Sequence, residues 1–240
     1  GLQDFFRSGD SVKKLVRVTK RGRKLLGSFG LATIVLDSLC QRYEVVTTRN
    51  EITSRAMSNG DLTIDSPVPY TYMPAPNAPT GTKLVLYGLK FQEGDNFSLG
   101  ELRRRIQWDL PLELPDFIVT VNGERAVPKK LLKAKQFKID EECPGIGKVQ
   151  GVIYLFDRVQ KNYGIHVYVN GGRIGDPVVL LDSVTSSLGV GLGKKLIGII
   201  NADGLSDIIA VDRQSFVQET PKYYEYQRRR STCHCDNSVR

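Results

Sequence analysis

No apolar run in this sequence approaches the roughly 18 residues that cross a bilayer, and no initiating Met with a charged-then-apolar leader opens it. Neither a membrane span nor a secretory leader is expected, and Gly1 reads as a cut point. Cysteine and histidine are scarce. Cys40, Cys143, Cys233 and Cys235 are too few and too irregularly placed for a disulfide framework, which predicts a reducing, cytoplasmic setting. The one cluster, Cys233 to Cys235, has no second His/Cys group at a useful spacing, and His166 is the only histidine outside it. A tetrahedral metal site is therefore not expected. Heptads and internal repeats are also missing.

What remains is an ordinary globular chain. At 240 residues, 40% hydrophobic and 25% charged, it is long enough for one large domain or two small ones. Its net charge of +8 is unevenly spread: residues 1–24 carry eight Lys/Arg against two Asp, so most of the excess precedes Gly27. Such a block is either a solvated loop or a contact for phosphates, whether of a nucleotide or of nucleic acid. Arg103 to Arg105 form a second cluster. Ser98 and Glu101 fit an S-x-x-E capping box, and Leu99, Leu102 and Ile106 recur at helical spacing, which predicts a helix over 98–108 with its arginines largely toward solvent. Arg228 to Arg230 form a third.

The stretch "KRGRKLLGSFGLATIVLDSLCQRYEVVTTR", Lys20 to Arg49, runs basic, then glycine-rich, then helical, then alternating. A helix start offers unpaired N–H groups and a positive dipole end, and glycines let an anion approach them closely. Phosphate is one occupant of such a turn; a plain loop entering a core helix is the other reading. "RYEVVTTR" and "TKLVLYGL" read as strands, as do "DFIVTVN", "VQGVIYLFDRV", "GIHVYVN" and "KKLIGIINAD" beyond residue 100, with Asn122-Gly123 and Asn170-Gly171 as turns. "PVPYTYMPAPNAPTG", Pro67 to Gly81, holds five prolines in fifteen residues and is expected to be a loop. Both halves of the chain are predicted to be α+β, divided near residue 100.

Three of these stretches resemble the GHKL ATPases, the superfamily of gyrase B, the ninety-kilodalton heat-shock chaperones, histidine kinases and MutL. "LLGSFGLATIVLDSLCQRYEVVTTR" is similar to its second glycine box, a G-x-F-G-x-G turn that opens a helix leading into a strand. "TGTKLVLYGL", Thr80 to Leu89, resembles the strand that closes the nucleotide domain, whose Gly-Thr pair lies beside the adenine. "INADGLSDIIAVDRQSF", Ile200 to Phe216, looks like the transducer of the chaperone branch, where a loop carries an arginine toward the γ-phosphate. "GLQDFF" is similar to the segment immediately after the D-x-G-x-G box, and that likeness implies that Arg7 to Lys24 would be the lid over the nucleotide.

The resemblance implies residues 1–97 as the C-terminal half of a Bergerat-type nucleotide-binding sandwich, residues 98–228 as a transducer similar to the second domain of ribosomal protein S five, and 229–240 as a tail without assignment. It implies ATP and Mg²⁺ as ligands and a homodimer as the working state. Gly27, Ser28, Phe29, Gly30 and Leu31 would offer backbone N–H groups to the phosphates, with Lys24 or Arg23 within reach of them. Gly81 and Thr82 would lie beside the adenine, the hydroxyl bonding directly or through water, and Arg213 would stabilise charge on the γ-phosphate. For each there is a plainer role: an ordinary turn, an outward strand threonine, a solvated lysine, and for Arg213 a salt bridge to Asp212 or Asp207.

Two departures stand against the family pattern. The helix that supplies the general-base Glu and the Mg²⁺-binding Asn is absent, as is the Asp that binds the adenine amino group, so the chain alone is not expected to hydrolyse ATP. Ala32 stands at the third glycine of the box. The rival readings are a nucleic-acid-binding module, disfavoured because aromatics do not interleave with the basic clusters, and an interaction module with a decayed nucleotide site.

Overall fold

The structure is a computed structural model in which residues 5–6, 18, 22, 32–58, 69–90, 98–114, 116–179 and 191–232 are described. The chain forms two compact units, Gly1–Phe97 and Ser98–Arg240. Both mix helices with sheets that are antiparallel except for one parallel strand pair in the second unit, Gly164–Val169 with Leu196–Asn201, as the α+β reading expects.

In the first unit, helix α1 (Ala32–Leu39) runs straight into β1 (Cys40–Arg49). Thr33, Leu36 and Cys40 are buried along one side, while Ile34, Val35 and Leu39 face outward. Lys90 closes the helix: its N–H donates to the Leu39 carbonyl at 2.8 Å and its Nζ to the Asp37 carbonyl at 2.7 Å, a cation at the negative end of the dipole. Burial raises the Asp37 pKa against the opposing pull of Lys90.

The sheet that receives the helix has the order β3-β2-β1-β4, with β2 at Ile52–Ser58, β3 at Tyr70–Pro74 and β4 at Gly81–Leu89, all antiparallel. Asn50 and Glu51, both at positive φ, form the two-residue turn between β1 and β2. The loop expected over Pro67–Gly81 is corrected by β3. Proline is tolerated there because β3 is an edge strand, hydrogen-bonded on one side only, and Pro74 stands at its last residue.

The second unit opens with α2 (Leu99–Asp109). Ser98 caps it as the sequence predicts, its Oγ accepting from the Glu101 N–H at 3.2 Å. Glu101 in turn pairs with Arg104 and Arg105, and Arg104 holds its carboxyl down at about 2. After a small hairpin, β5 (Thr120–Val121) and β6 (Glu124–Arg125), comes a five-stranded sheet. Its order is β10-β9-β11-β8-β7, from β7 (Lys135–Cys143), β8 (Gly147–Leu155), β9 (Gly164–Val169), β10 (Gly172–Val178) and β11 (Leu196–Asn201). Asn122-Gly123 and Asn170-Gly171 turn the hairpins with positive φ at both residues, as expected.

Strands β7 and β10 were not legible as alternating runs, since β7 is charged and largely exposed and β10 carries two glycines and a proline. Ile146, Val167, Val169, Leu205, Ile208 and Phe216 form the core of this unit, covered by Tyr223 and Tyr226 of α3 (Pro221–Thr232). The boundary expected at residue 228 falls inside that helix.

Candidate functional site

Gly27, Ser28, Phe29, Gly30, Leu31 and Lys24 lie outside the described residues, and Cys233 to Cys235 do as well. The described part of the site begins where α1 does, at Ala32, the residue that follows the glycine-rich segment in sequence.

Strand register decides which face each residue occupies. Leu36 of α1 packs with Tyr43 and Val45 of β1 and with Leu86 of β4, so that face of the sheet bears the helix. Tyr43 pairs with Leu86, Val45 with Leu84 and Thr47 with Thr82. Directly paired side chains share a face and alternate along each strand. Thr47 and Thr82 therefore stand on the helix-bearing face, one step beyond the apolar core, and not on the outer one.

The two hydroxyls lie 3.0 Å apart, and Thr47 Oγ1–H also reaches the Gly81 carbonyl at 3.3 Å. When Thr47 donates to that carbonyl it accepts from Thr82, and the Thr82 oxygen is left to accept from a ligand. When Thr47 donates to Thr82 instead, the Thr82 hydroxyl is left to donate. The pair can thus present either sense of hydrogen bond. Thr47 was missed by sequence reasoning, because its partner lies 35 residues away and only the register brings them together.

The outer face is built differently. Arg42 lies over the Tyr87 ring at 4.8 Å, Arg55 Nε pairs with the buried Glu44, and Tyr87 donates to the same carboxylate at 3.4 Å. These charges are satisfied by one another and brace the sheet. On the inner face the Tyr43 hydroxyl is buried against Ser58, and burial pushes its pKa up to about 12.

Arg213 belongs to the second unit. It sits at the tip of a tight loop closed by the Ile209–Phe216 bridge, with Ala210 N–H donating to the Ser215 carbonyl at 2.9 Å and Arg213 N–H to the Ala210 carbonyl at 2.9 Å. Its backbone is left-handed, at φ 58°. The Arg213 carbonyl accepts from Gly175 N–H at 3.1 Å, which pins the loop to β10. Of the two carboxylates considered for it, Asp207 is held by Lys222 Nζ at 2.8 Å, and Asp212 Oδ1 accepts from Gln214 N–H at 2.9 Å. The guanidinium is half-buried, and burial lowers its pKa.

Among the described residues no cluster of three or more His, Cys, Asp or Glu is placed to hold a metal ion, and no helix is long and apolar enough to cross a membrane.

With the geometry of both units established, the likeness to solved structures decides the fold. The chain is similar to the ATPase region of Saccharomyces cerevisiae topoisomerase II bound to ICRF-187 (dexrazoxane), with 13% identity and a TM-score of 0.50 over 95% of this chain and 70% of that one. The fold is GHKL-like. A second structure of the same yeast ATPase region has 12% identity and a TM-score of 0.48 over the same shares. No family model matches the sequence, and no curated protein matches it. At such identity the GHKL-like fold is what the likeness establishes, and activity has to be argued from the site.

Proposed function

We propose that this chain contributes part of the nucleotide site and the transducer of an ATP-hydrolysing protein of the GHKL type. The observation that carries the reading is the placement of Thr82. In a GHKL-like fold, Thr82 stands on the helix-bearing face of the sheet, hydrogen-bonded to Thr47, and the helix on that face begins at Ala32, the residue that follows the glycine-rich segment in sequence.

In this reading the turn Gly27–Leu31 and the first turn of α1 bind phosphates through backbone N–H groups, which need no side chain and favour an anion at the helix start. Lys24 supplies a cation to the same phosphates. Thr82 bonds the adenine edge, directly or through water, with Thr47 setting the direction of its hydroxyl. Arg213 stabilises charge on the transferring phosphoryl group, for which a planar, bidentate fork is suited. The segment Arg7 to Lys24 closes over bound nucleotide as a lid, and a homodimer is the working state. Mg²⁺, when bound, neutralises phosphate charge; the described residues do not supply a cluster to hold it. General-base activation of water likewise requires a residue this chain does not provide in the matching motif.

The basic segment discriminates this reading from a nucleic-acid module. Replacing Lys20, Arg21, Arg23 and Lys24 by alanine in the full-length protein is expected to weaken ATP binding and to leave DNA binding little changed. Filter-binding titrations of ATP and of duplex DNA across a salt series measure both. A fall in DNA affinity with a flatter salt slope, and unchanged ATP binding, would assign the segment to nucleic acid instead.

A further inference from the structure

Every residue of β9 except Ile165 is buried. Alternation sends Ile165, Val167 and Val169 to the core shared with Leu205 and Phe216, and sends His166 and Tyr168 to the opposite face. Helix α2 is seated there. The Trp108 ring stacks on the His166 imidazole with centroids 4.3 Å apart and planes within 13°, and the Tyr168 hydroxyl donates to the Trp108 carbonyl. Arg173 Nε pairs with Asp109 at 2.9 Å, and Arg104 donates to Asn162 Oδ1 at 3.2 Å. His166 is 1% exposed and Trp108 3%.

The protonation state is set by the contacts. His166 Nε2 lies 3.1 Å from the Asn162 carbonyl, which can only accept, so Nε2 carries the hydrogen and Nδ1 keeps its lone pair. Among the described residues Nδ1 has no hydrogen-bond partner. A second proton arriving there would create a buried cation whose new N–H faces no acceptor, which is costly in a desolvated site.

The groups around it do not offset that charge. Arg173 of β10 has the same sign, the Asp109 carboxylate at the end of α2 is already paired with Arg173, Arg104 of α2 adds a second cation held on Asn162, and Tyr168 and Glu113 stand nearby. From β11 the facing residue is Ile199, which does not titrate.

We propose that His166 is an acid-operated latch for helix α2: neutral, it seats Trp108 and holds the helix on the five-stranded sheet; protonated, it expels Trp108 and releases the helix. Burial, helped by Arg173 and opposed by the Asn162 carbonyl, sets the His166 pKa below the ordinary histidine value of 6.5. The released form therefore takes up the proton first as pH falls. Docking is at full strength above about pH 6.5 and is lost below it, toward the pKa of the docked imidazole, by up to about tenfold in the equilibrium per pH unit.

Trp108 is the only tryptophan in the chain, so its emission reports the latch directly. Fluorescence and far-UV circular dichroism are followed together from about pH 7.5 to about pH 4.5, the range in which histidine titrates. The expected result is a reversible quench and red shift of Trp108 below about pH 6.5, preceding loss of the strand signal, and a flat profile in His166→Phe, which keeps the aromatic stack without the titrating nitrogen. A single transition in which emission and strand signal are lost together would overturn the latch, and so would an unchanged step in His166→Phe. Should His166→Phe not fold, proton NMR of His234→Gln, which leaves His166 as the sole histidine, decides the matter. The latch requires an imidazole midpoint below 6.5 that coincides with the fluorescence step, and a midpoint at or above 6.5, or one without any change in emission, overturns it.

Discussion

Arg213→Ala in the full-length protein should lower kcat for ATP hydrolysis by about tenfold to a thousandfold, the span of about 1.4–4 kcal/mol expected for one charge-stabilising group, while ATP affinity changes only a few-fold. The split reflects what such a group does. In the proposed reading the glycine-rich segment and Thr82 make the ground-state contacts to the nucleotide, whereas an arginine on the γ-phosphate matters most as charge develops in transfer. The loop that carries it is built to hold a position: two backbone hydrogen bonds close the turn at Arg213, and a third ties its carbonyl to Gly175. Arg213→Lys should recover little, because an ammonium does not reproduce the bidentate fork. Steady-state kinetics beside a direct measurement of ATP affinity test this. Hydrolysis at the wild-type rate by a folded Arg213→Ala protein would remove Arg213 from the reaction and leave it a loop residue of the second unit.

Gly175→Ala should destabilise the second unit by about 2–5 kcal/mol, combining a left-handed backbone with a close approach. Gly175 has φ 61°, and a Cβ there would lie 2.3 Å from the Gln214 carbonyl oxygen, inside the loop that presents Arg213. The clash is with backbone, so no side chain can swing away from it. Gly204→Ala is expected to be at least as severe, because its Cβ would meet the Ile146 carbonyl oxygen at 1.6 Å. A loss of this size lowers the thermal midpoint by roughly 5–15 °C in a unit of this size, read by differential scanning calorimetry. Wild-type melting of Gly175→Ala would mean that β10 and the Arg213 loop do not make the approach described, and wild-type melting of Gly204→Ala would mean the same for Gly204 and Ile146.

The parts of this fold that the sequence made legible are those governed by local rules. The Ser98–Glu101 cap, the Asn-Gly turns at 122–123 and 170–171, and the alternating β8, β9 and β11 all arise from short-range chemistry. Edge strands were harder, because exposure removes the hydrophobic signal: β7 is dominated by charged and polar residues, and β3 sits within a proline-rich stretch that argued for a loop. Long-range pairing was illegible altogether. Neither the Thr47–Thr82 contact nor the stack of Trp108 on His166 leaves a trace in spacing, since each joins residues 35 or more positions apart. Arg213 was identified by resemblance alone, and its left-handed backbone is unusual for a residue with a long side chain.

Binding of ATP itself is the most direct test of the nucleotide reading. Calorimetric titration of Mg²⁺-ATP into the full-length protein should show saturable binding, and Thr82→Val should weaken it by roughly threefold to tenfold, the worth of one hydrogen bond of about 0.5–1.5 kcal/mol, with the fold unchanged. Saturable binding that Thr82→Val leaves untouched would displace the adenine from β4, and the absence of any saturable ATP binding by the folded wild-type protein would contradict the account.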